Sequence, residues 1–298
     1  MGLFLKLDKT NQLLHYKSYR NASSLPWVTF IDGAGGIFQV WDKQLPEFKL
    51  HYNVLIIELK EKNGLSHSLD ELDLDAISNG ILCVLEDNNI AKSHFIGLSL
   101  GTVFVNYFSW KYPKSVDSMI LAGAITKINR RLRFLFKVRS ALKSVFSSTA
   151  QFGIFSYYLL PNRNHRETRL FIKQQTTAWK EEEFLKWSEF TRKLNPVLNY
   201  LYSDKTEIPS LFIMGEEDKV FLPSVKRIAS NKSDALLFII QDCGHIVNME
   251  QAMLFNRMVI GYLTGLEQAT KNGKLGVGGR ISLNPTTKET VEKQSHLL

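Results

Sequence analysis

Residues 97–101 read Gly97-Leu98-Ser99-Leu100-Gly101, and with their flanks they constrain the chain more than any other stretch. An apolar run, His94-Phe95-Ile96, precedes them, and a helix-like run from Thr102 to Trp110 follows. G-x-S-x-G in a strand–turn–helix context is the pattern of a serine lifted off the end of a sheet strand. A strand that turns abruptly into a helix strains the backbone of the turn residue. Side chains two positions either side would collide there, so Gly97 and Gly101 fill both places. The N–H of Leu100 then lies at a helix N-terminus, where developing negative charge is favoured. Ser99 is accordingly the candidate nucleophile.

The rest of the chain supplies a sheet for such a turn. Strand-like and helix-like segments alternate, which is the α/β signature. Gln12 to Arg20 reads as a leading strand, and Trp27 to Ile31 as a short strand ending in Asp32-Gly33-Ala34-Gly35-Gly36. Val54 to Leu59 is continuously apolar, as in a strand covered on both faces. Leu69 to Asp87 has Ile77, Ile81, Val84 and Leu85 at helical spacing. Ser118 to Ala122, Ser210 to Met214 and Leu236 to Gln241 complete the strands, and helices are expected at Leu222 to Ala229 and from about Met249 to Leu263. Between Thr126 and Thr206 the alternation stops, and the sequence is helix-like, aromatic and basic.

A serine hydroxyl is a poor nucleophile at neutral pH and needs a general base. Of the seven histidines, His245 alone follows a strand with a glycine before it, in Asp242-Cys243-Gly244-His245. Strand C-termini form the ligand-binding edge of an open parallel sheet. The imidazole must be oriented by a carboxylate. Asp218 stands at the end of the preceding strand, in Gly215-Glu216-Glu217-Asp218, with Glu216 and Glu217 as alternatives and helix capping as a competing role. The strand end Leu121-Ala122-Gly123-Ala124 offers no carboxylate. A tetrahedral intermediate needs two N–H donors. Leu100 supplies one and Ala34 the other, since Gly33, Gly35 and Gly36 allow the backbone to approach a ligand closely.

In these pieces and in this order the chain resembles the α/β-hydrolase-fold serine hydrolases that carry a cap. Asp32-Gly33-Ala34-Gly35-Gly36, Gly97-Leu98-Ser99-Leu100-Gly101, Gly215-Glu216-Glu217-Asp218 and Gly244-His245 carry the likeness, with Glu250 where the family often has an acid. It covers residues 10–265 or so. The resemblance implies a mostly parallel, eight-stranded sheet with helices on both faces, and a helical cap inserted after the sixth strand. Residues 1–125 and 206–266 then form the core and 126–205 the cap, and 267–298 are expected to be poorly ordered. The chain departs from the family at Asp32-Gly33, where His-Gly is usual, and at Glu58-Leu59-Lys60-Glu61, where an Asp and a Gly-containing turn are usual. Asp32 either caps the loop or weakens oxyanion stabilisation by its charge.

The expected activity is cleavage of a carboxylic ester with a hydrophobic acyl or aromatic group, through an acyl-enzyme. Thioesterase, lactonase, acyltransferase and C–C hydrolase chemistry use the same triad, and a low-turnover binding protein could keep the same pocket. No metal or organic cofactor is implied. Two cysteines, Cys83 and Cys243, give no disulfide framework and fit a reducing, cytoplasmic location. No apolar run approaches the ~18–20 residues of a membrane span. The net charge of +8 is concentrated in Lys127, Arg130, Arg131, Arg133, Lys137, Arg139 and Lys143, a segment without acids. Ile128, Leu132, Leu135, Val138, Leu142 and Val145 form an apolar stripe through it. The segment reads as a cap helix with a solvated basic face, or as a contact for an anionic membrane surface. Nothing resembles a nucleic-acid-binding module. The expected partner is a small acyl substrate.

Overall fold

The computed structural model describes residues 14–33, 38–61, 73–141, 148–176, 187, 189–203, 207–232 and 235–272. Seven strands form one sheet: β1 (Leu14–Tyr19), β2 (Trp27–Ile31), β3 (Asn53–Glu61), β4 (Ser93–Leu98), β5 (Val116–Ala122), β6 (Ser210–Gly215) and β7 (Ala235–Ile240). Their order is β1-β3-β2-β4-β5-β6-β7. Only β1 runs antiparallel to its neighbour; every other pair is parallel. The sheet therefore has seven strands among the described residues, not the eight expected. The helical stretch follows the fifth of the described strands.

Helices cover both faces. Those outside the insertion are α1 (Leu45–His51), α2 (Leu74–Asp87) and α3 (Gly101–Lys111) before it, and α8 (Leu222–Ser230), α9 (Val247–Glu250) and α10 (Ala252–Lys271) after it. Leu55 and Ile57 of β3 join one core with Ile77 and Ile81 of α2, Val103 and Phe104 of α3 and Val225 of α8. Val54 and Ile56 join the other, with Phe48 of α1 and Phe255, Val259 and Leu263 of α10. Alternate residues of an apolar run thus serve opposite faces, as a doubly covered strand requires. Asp73 caps α2 through Asp75 N–H at 2.9 Å, which fixes that helix's start within the expected Leu69 to Asp87 stretch. Helix α10 continues to Lys271, past the expected end of the core, because Leu263 and Leu266 keep one side of it buried.

Between β5 and β6 the regular elements among the described residues are helical. They include α4 (Arg130–Ala141), α5 (Ser148–Leu159), α6 (Arg166–Thr176) and α7 (Asn195–Ser203). Ile128 and Leu132 of the apolar stripe are fully buried, and Leu135 and Val138 are half-buried; Leu142 and Val145 lie outside the described residues. Phe190 stacks on Phe104 of α3, with centroids 5.7 Å apart and planes 4° from parallel, and Trp187 meets the same ring edge-on at 6.2 Å. These aromatics of the insertion pack against the core helix that begins at Gly101. Among the described residues, no helix is long and apolar enough to cross a membrane.

Candidate active site

Ser99 has φ +53°, a left-handed conformation that a side-chain-bearing residue adopts only when its surroundings impose it. The surroundings are tight. A Cβ on Gly97 would lie 2.8 Å from the backbone of Gly101, and one on Gly101 would lie 2.3 Å from the Asp32 carbonyl oxygen. Both glycines are therefore required by backbone contact, as the sequence pattern implies. The turn is pinned from below, where the Ser99 N–H donates to the Ala122 carbonyl of β5 at 2.9 Å. It is pinned from the helix side as well, where the Thr102 hydroxyl donates to the Ser99 carbonyl at 2.6 Å. Ser99 is half-buried and Leu100 buried.

The loop after β7 brings His245 to this turn. Ser99 Oγ lies 2.8 Å from His245 Nε2, and His245 Nδ1 lies 2.8 Å from Asp218 Oδ2. The His245 and Asp218 side chains are fully buried. A carboxylate at Nδ1 holds the ring proton on that nitrogen and leaves Nε2 free to accept from the serine hydroxyl. The Phe221 ring packs beside the imidazole, with centroids 5.1 Å apart. Two glycines make room for the loop. Gly123, at φ +53°, has the His245 carbonyl 2.4 Å from where its Cβ would stand, and Gly215 has the Gly244 carbonyl at 2.0 Å.

The three carboxylates after β6 separate by their contacts. Asp218 uses both oxygens: Oδ2 faces His245, while Oδ1 accepts the N–H groups of Val220 at 3.2 Å and Phe221 at 3.0 Å. Its loop-capping role and its contact with the imidazole thus coexist. Glu216 is exposed. Glu217 turns instead toward His165, whose Nε2 lies 2.6 Å from Oε2. Glu250 accepts from Gly244 N–H at 2.8 Å and Ile246 N–H at 3.0 Å, so its carboxylate brackets His245 in the chain.

Gly33 crosses the turn; a Cβ there would lie 3.5 Å from Ser99 Cβ and 3.9 Å from Leu100 N. Ala34, Gly35 and Gly36 lie outside the described residues. Asp32 is buried, and its Oδ1 accepts from the Leu59 N–H of β3 at 3.4 Å. The two departures from the family pattern, at residues 32 and 58–61, therefore touch one another. Cys243 is next but one to His245, and burial pushes its thiol pKa up. The hydroxyl of Ser99 faces the imidazole at Nε2. Sequence reasoning missed His165. Its only local signal is the polar run Asn162-Arg163-Asn164-His165, and nothing in sequence links it to residue 217 or 250.

No family model matches the chain. It is 25% identical over 240 residues to the uncharacterized carboxylesterase nap of Bacillus subtilis (strain 168), covering 76% of this chain and 75% of that protein. It is 24% identical over 245 residues to the putative carbamate hydrolase RutD of Acinetobacter baylyi, covering 79% and 91%. Among solved structures, a hydrolase from Pseudomonas aeruginosa PA01 superposes with a TM-score of 0.72 at 19% identity, over 84% of this chain and 94% of that one. The sheet, the serine turn and these likenesses define a protein of the α/β-hydrolase fold. Within that class, the two relatives just described bear the names of a carboxylesterase and a carbamate hydrolase.

Proposed function

We propose that the chain is a serine hydrolase that cleaves a carboxylic ester with a hydrophobic acyl or aromatic group, through an acyl-enzyme. The observation that carries this reading is the relay from Ser99 Oγ through His245 to Asp218, with both contacts at 2.8 Å. Ser99 Oγ attacks the acyl carbon as its proton passes to His245 Nε2. The imidazolium so formed is stabilised by Asp218, whose burial with it strengthens their attraction. The proton then passes to the leaving oxygen, the C–O bond breaks, and the acyl group stays on Ser99. Water, deprotonated by His245, releases the acid and restores the serine. Leu100 N–H, first in line at the start of α3, receives the oxyanion. Ala34 N–H is the second donor, supported by the position of Gly33 over the serine turn.

The insertion 126–205 acts as the cap over the acyl group, a reading supported by its buried Ile128 and Leu132 and its aromatic packing on α3. Carbamate cleavage is the second reading, supported by the likeness to the carbamate hydrolase and by the identical chemistry of acyl transfer. A fluorophosphonate probe tests the nucleophile. Labelling of the wild type that vanishes in Ser99→Ala supports it, and folded wild type that does not label sinks it. A panel of acyl esters and carbamates of graded size then assigns the substrate class.

The outer side of α4 is the proposed contact for an anionic membrane surface. Phe134 is 65% exposed, follows exposed Arg133 in the chain and lies one helical turn on from exposed Arg131. With Arg130, Arg131, Leu135 and Tyr158, it lines an open groove of about 350 Å³. An exposed aromatic that shares a groove with arginines suits the boundary between anionic headgroups and acyl chains. Cosedimentation with anionic but not neutral vesicles, weakened in Phe134→Glu, is the expected result. Equal binding to both kinds overturns it. The two free cysteines support a cytoplasmic location for such a peripheral protein.

A further inference from the structure

The insertion reaches the catalytic loops at one fully buried imidazole. His165 Nε2 lies 2.6 Å from Glu217 Oε2 and 3.3 Å from Glu250 Oε2. Its Nδ1 accepts the Asn162 backbone N–H at 3.3 Å. An accepting Nδ1 puts the ring proton on Nε2, so His165 is a directed donor toward the two carboxylates. Glu217 lies on the turn after β6, and Glu250 ends α9, the short helix that follows His245. Glu217 precedes Asp218 in the chain, and its own N–H donates to the Cys243 carbonyl at 2.9 Å. Glu250 holds the N–H groups on either side of His245. The imidazole therefore bridges the loop of the acid and the loop of the base.

Further contacts from the same segment converge there. Asn162 Nδ2 donates to Glu217, and Asn164 Nδ2 donates to Glu217 Oε2 at 2.9 Å and to the Asp242 carbonyl at 3.0 Å. These bonds hold the Glu217 carboxyl below the usual carboxylate range. Gly244 is a glycine because this segment lies on it: a Cβ would stand 2.8 Å from Leu160 Cδ2 and 2.9 Å from His165 Cε1. The segment is in turn fastened by Arg169, whose Nη1 donates to the carbonyls of Leu160 and Asn162.

We propose that His165 is a positioning residue that fastens the helical insertion to the loops of Asp218 and His245, so that the base is aligned with Ser99 only while the insertion is docked. This rests on the serine-hydrolase reading above. Removing the Nε2 donor leaves two carboxylates facing each other, one of them the Glu250 group that accepts the N–H groups on either side of His245. A shift of that group by a fraction of an ångström is felt at Nε2, where misplacement by about 1 Å can cost 10²-fold in rate.

The test compares wild type, His165→Leu and His165→Gln, whose amide can return a donor toward the carboxylates. Three readouts are taken on folded protein: fluorophosphonate labelling rate, kcat and KM on the best ester, and the downfield proton NMR signal of His245 Nδ1–H. Expected are labelling and kcat slowed roughly 10- to 100-fold in His165→Leu with KM little changed, and a shifted or broadened proton. His165→Gln should recover most of each. Wild-type labelling and an unchanged proton in folded His165→Leu overturn the proposal. If His165→Leu does not fold, Glu217→Gln is substituted, and an unchanged proton and labelling rate there overturn it equally. If folded wild type does not label, the hydrolase reading fails. The proton then judges the clamp alone: a shift in His165→Leu supports it, and no shift overturns it.

Discussion

Replacing Gly123 with alanine sets a methyl group against the loop of the base. Gly123 follows β5 at φ +53°, and its Cβ would stand 2.4 Å from the His245 carbonyl oxygen and 3.3 Å from Nδ1. Forcing a side-chain-bearing residue into this conformation costs about 1–2 kcal/mol. The steric demand adds to it. An ordinary C···O approach is about 3.3 Å, so the His245 carbonyl must retreat by roughly 0.9 Å. The Gly123 N–H is tied to the Ile213 carbonyl at 2.9 Å, so the glycine side of the contact cannot give easily. A displacement of that size at a general base predicts a loss of about 10²-fold in kcat/KM, close to 2.7 kcal/mol of barrier. Gly261→Ala is the matched control, since it lies within α10 with nothing inside 4 Å of its Cβ. It should stabilise the protein by roughly 0.5–1 kcal/mol and leave turnover unchanged. Both variants are assayed for ester hydrolysis and for denaturant unfolding. Gly123→Ala with wild-type turnover, or with a loss no larger than its unfolded fraction explains, refutes the reasoning.

Further outcomes follow from the same geometry. Asp218→Asn should keep the fold yet lower kcat by ~10⁴-fold, because the amide favours the wrong imidazole tautomer; a loss below tenfold in ester turnover contradicts the relay. Iodoacetamide at pH 8 should leave Cys243 unmodified in the folded protein, as peptide mass mapping would read, because burial raises its pKa and excludes the reagent. His94 is buried between strands with Nδ1 2.8 Å from Ser118 Oγ, and desolvation lowers its pKa below the usual 6.5, partly opposed by Asp117. The unfolded chain therefore binds the extra proton first. The His94 contribution is full above pH 6.5 and is lost as pH falls from there through the depressed value, at a slope of at most ~1.4 kcal/mol per pH unit. Denaturant melts of wild type and His94→Gln between pH 7.5 and 5 should show the steeper decline in wild type.

Much of the site is legible in the chain because its constraints are local. Gly97 and Gly101 betray the turn at Ser99, since close backbone approach leaves glycine as the fitting residue. The apolar run of β3 signals a strand covered on both faces. The position of His245 after the last strand marks the edge where parallel sheets gather their functional groups. The strand count was less legible: an eight-stranded sheet was inferred from a resemblance, and the sheet has seven among the described residues.

What the amino-acid sequence determined by itself is the order of elements and the identity of the serine, the histidine and a short list of acids. The sequence put Asp218 ahead of its neighbours Glu216 and Glu217, and the tertiary structure shows what each carboxylate touches. They are adjacent in the chain, and periodicity does not say which carboxylate a turn aims inward. The turn after β6, closed by Asp218 N–H on the Gly215 carbonyl at 3.2 Å, sends Asp218 to His245 and Glu217 to His165. Those partners lie 27 and 52 residues away in sequence. Contacts over such separations are fixed by how the sheet and the insertion pack, and no local pattern of residues encodes them.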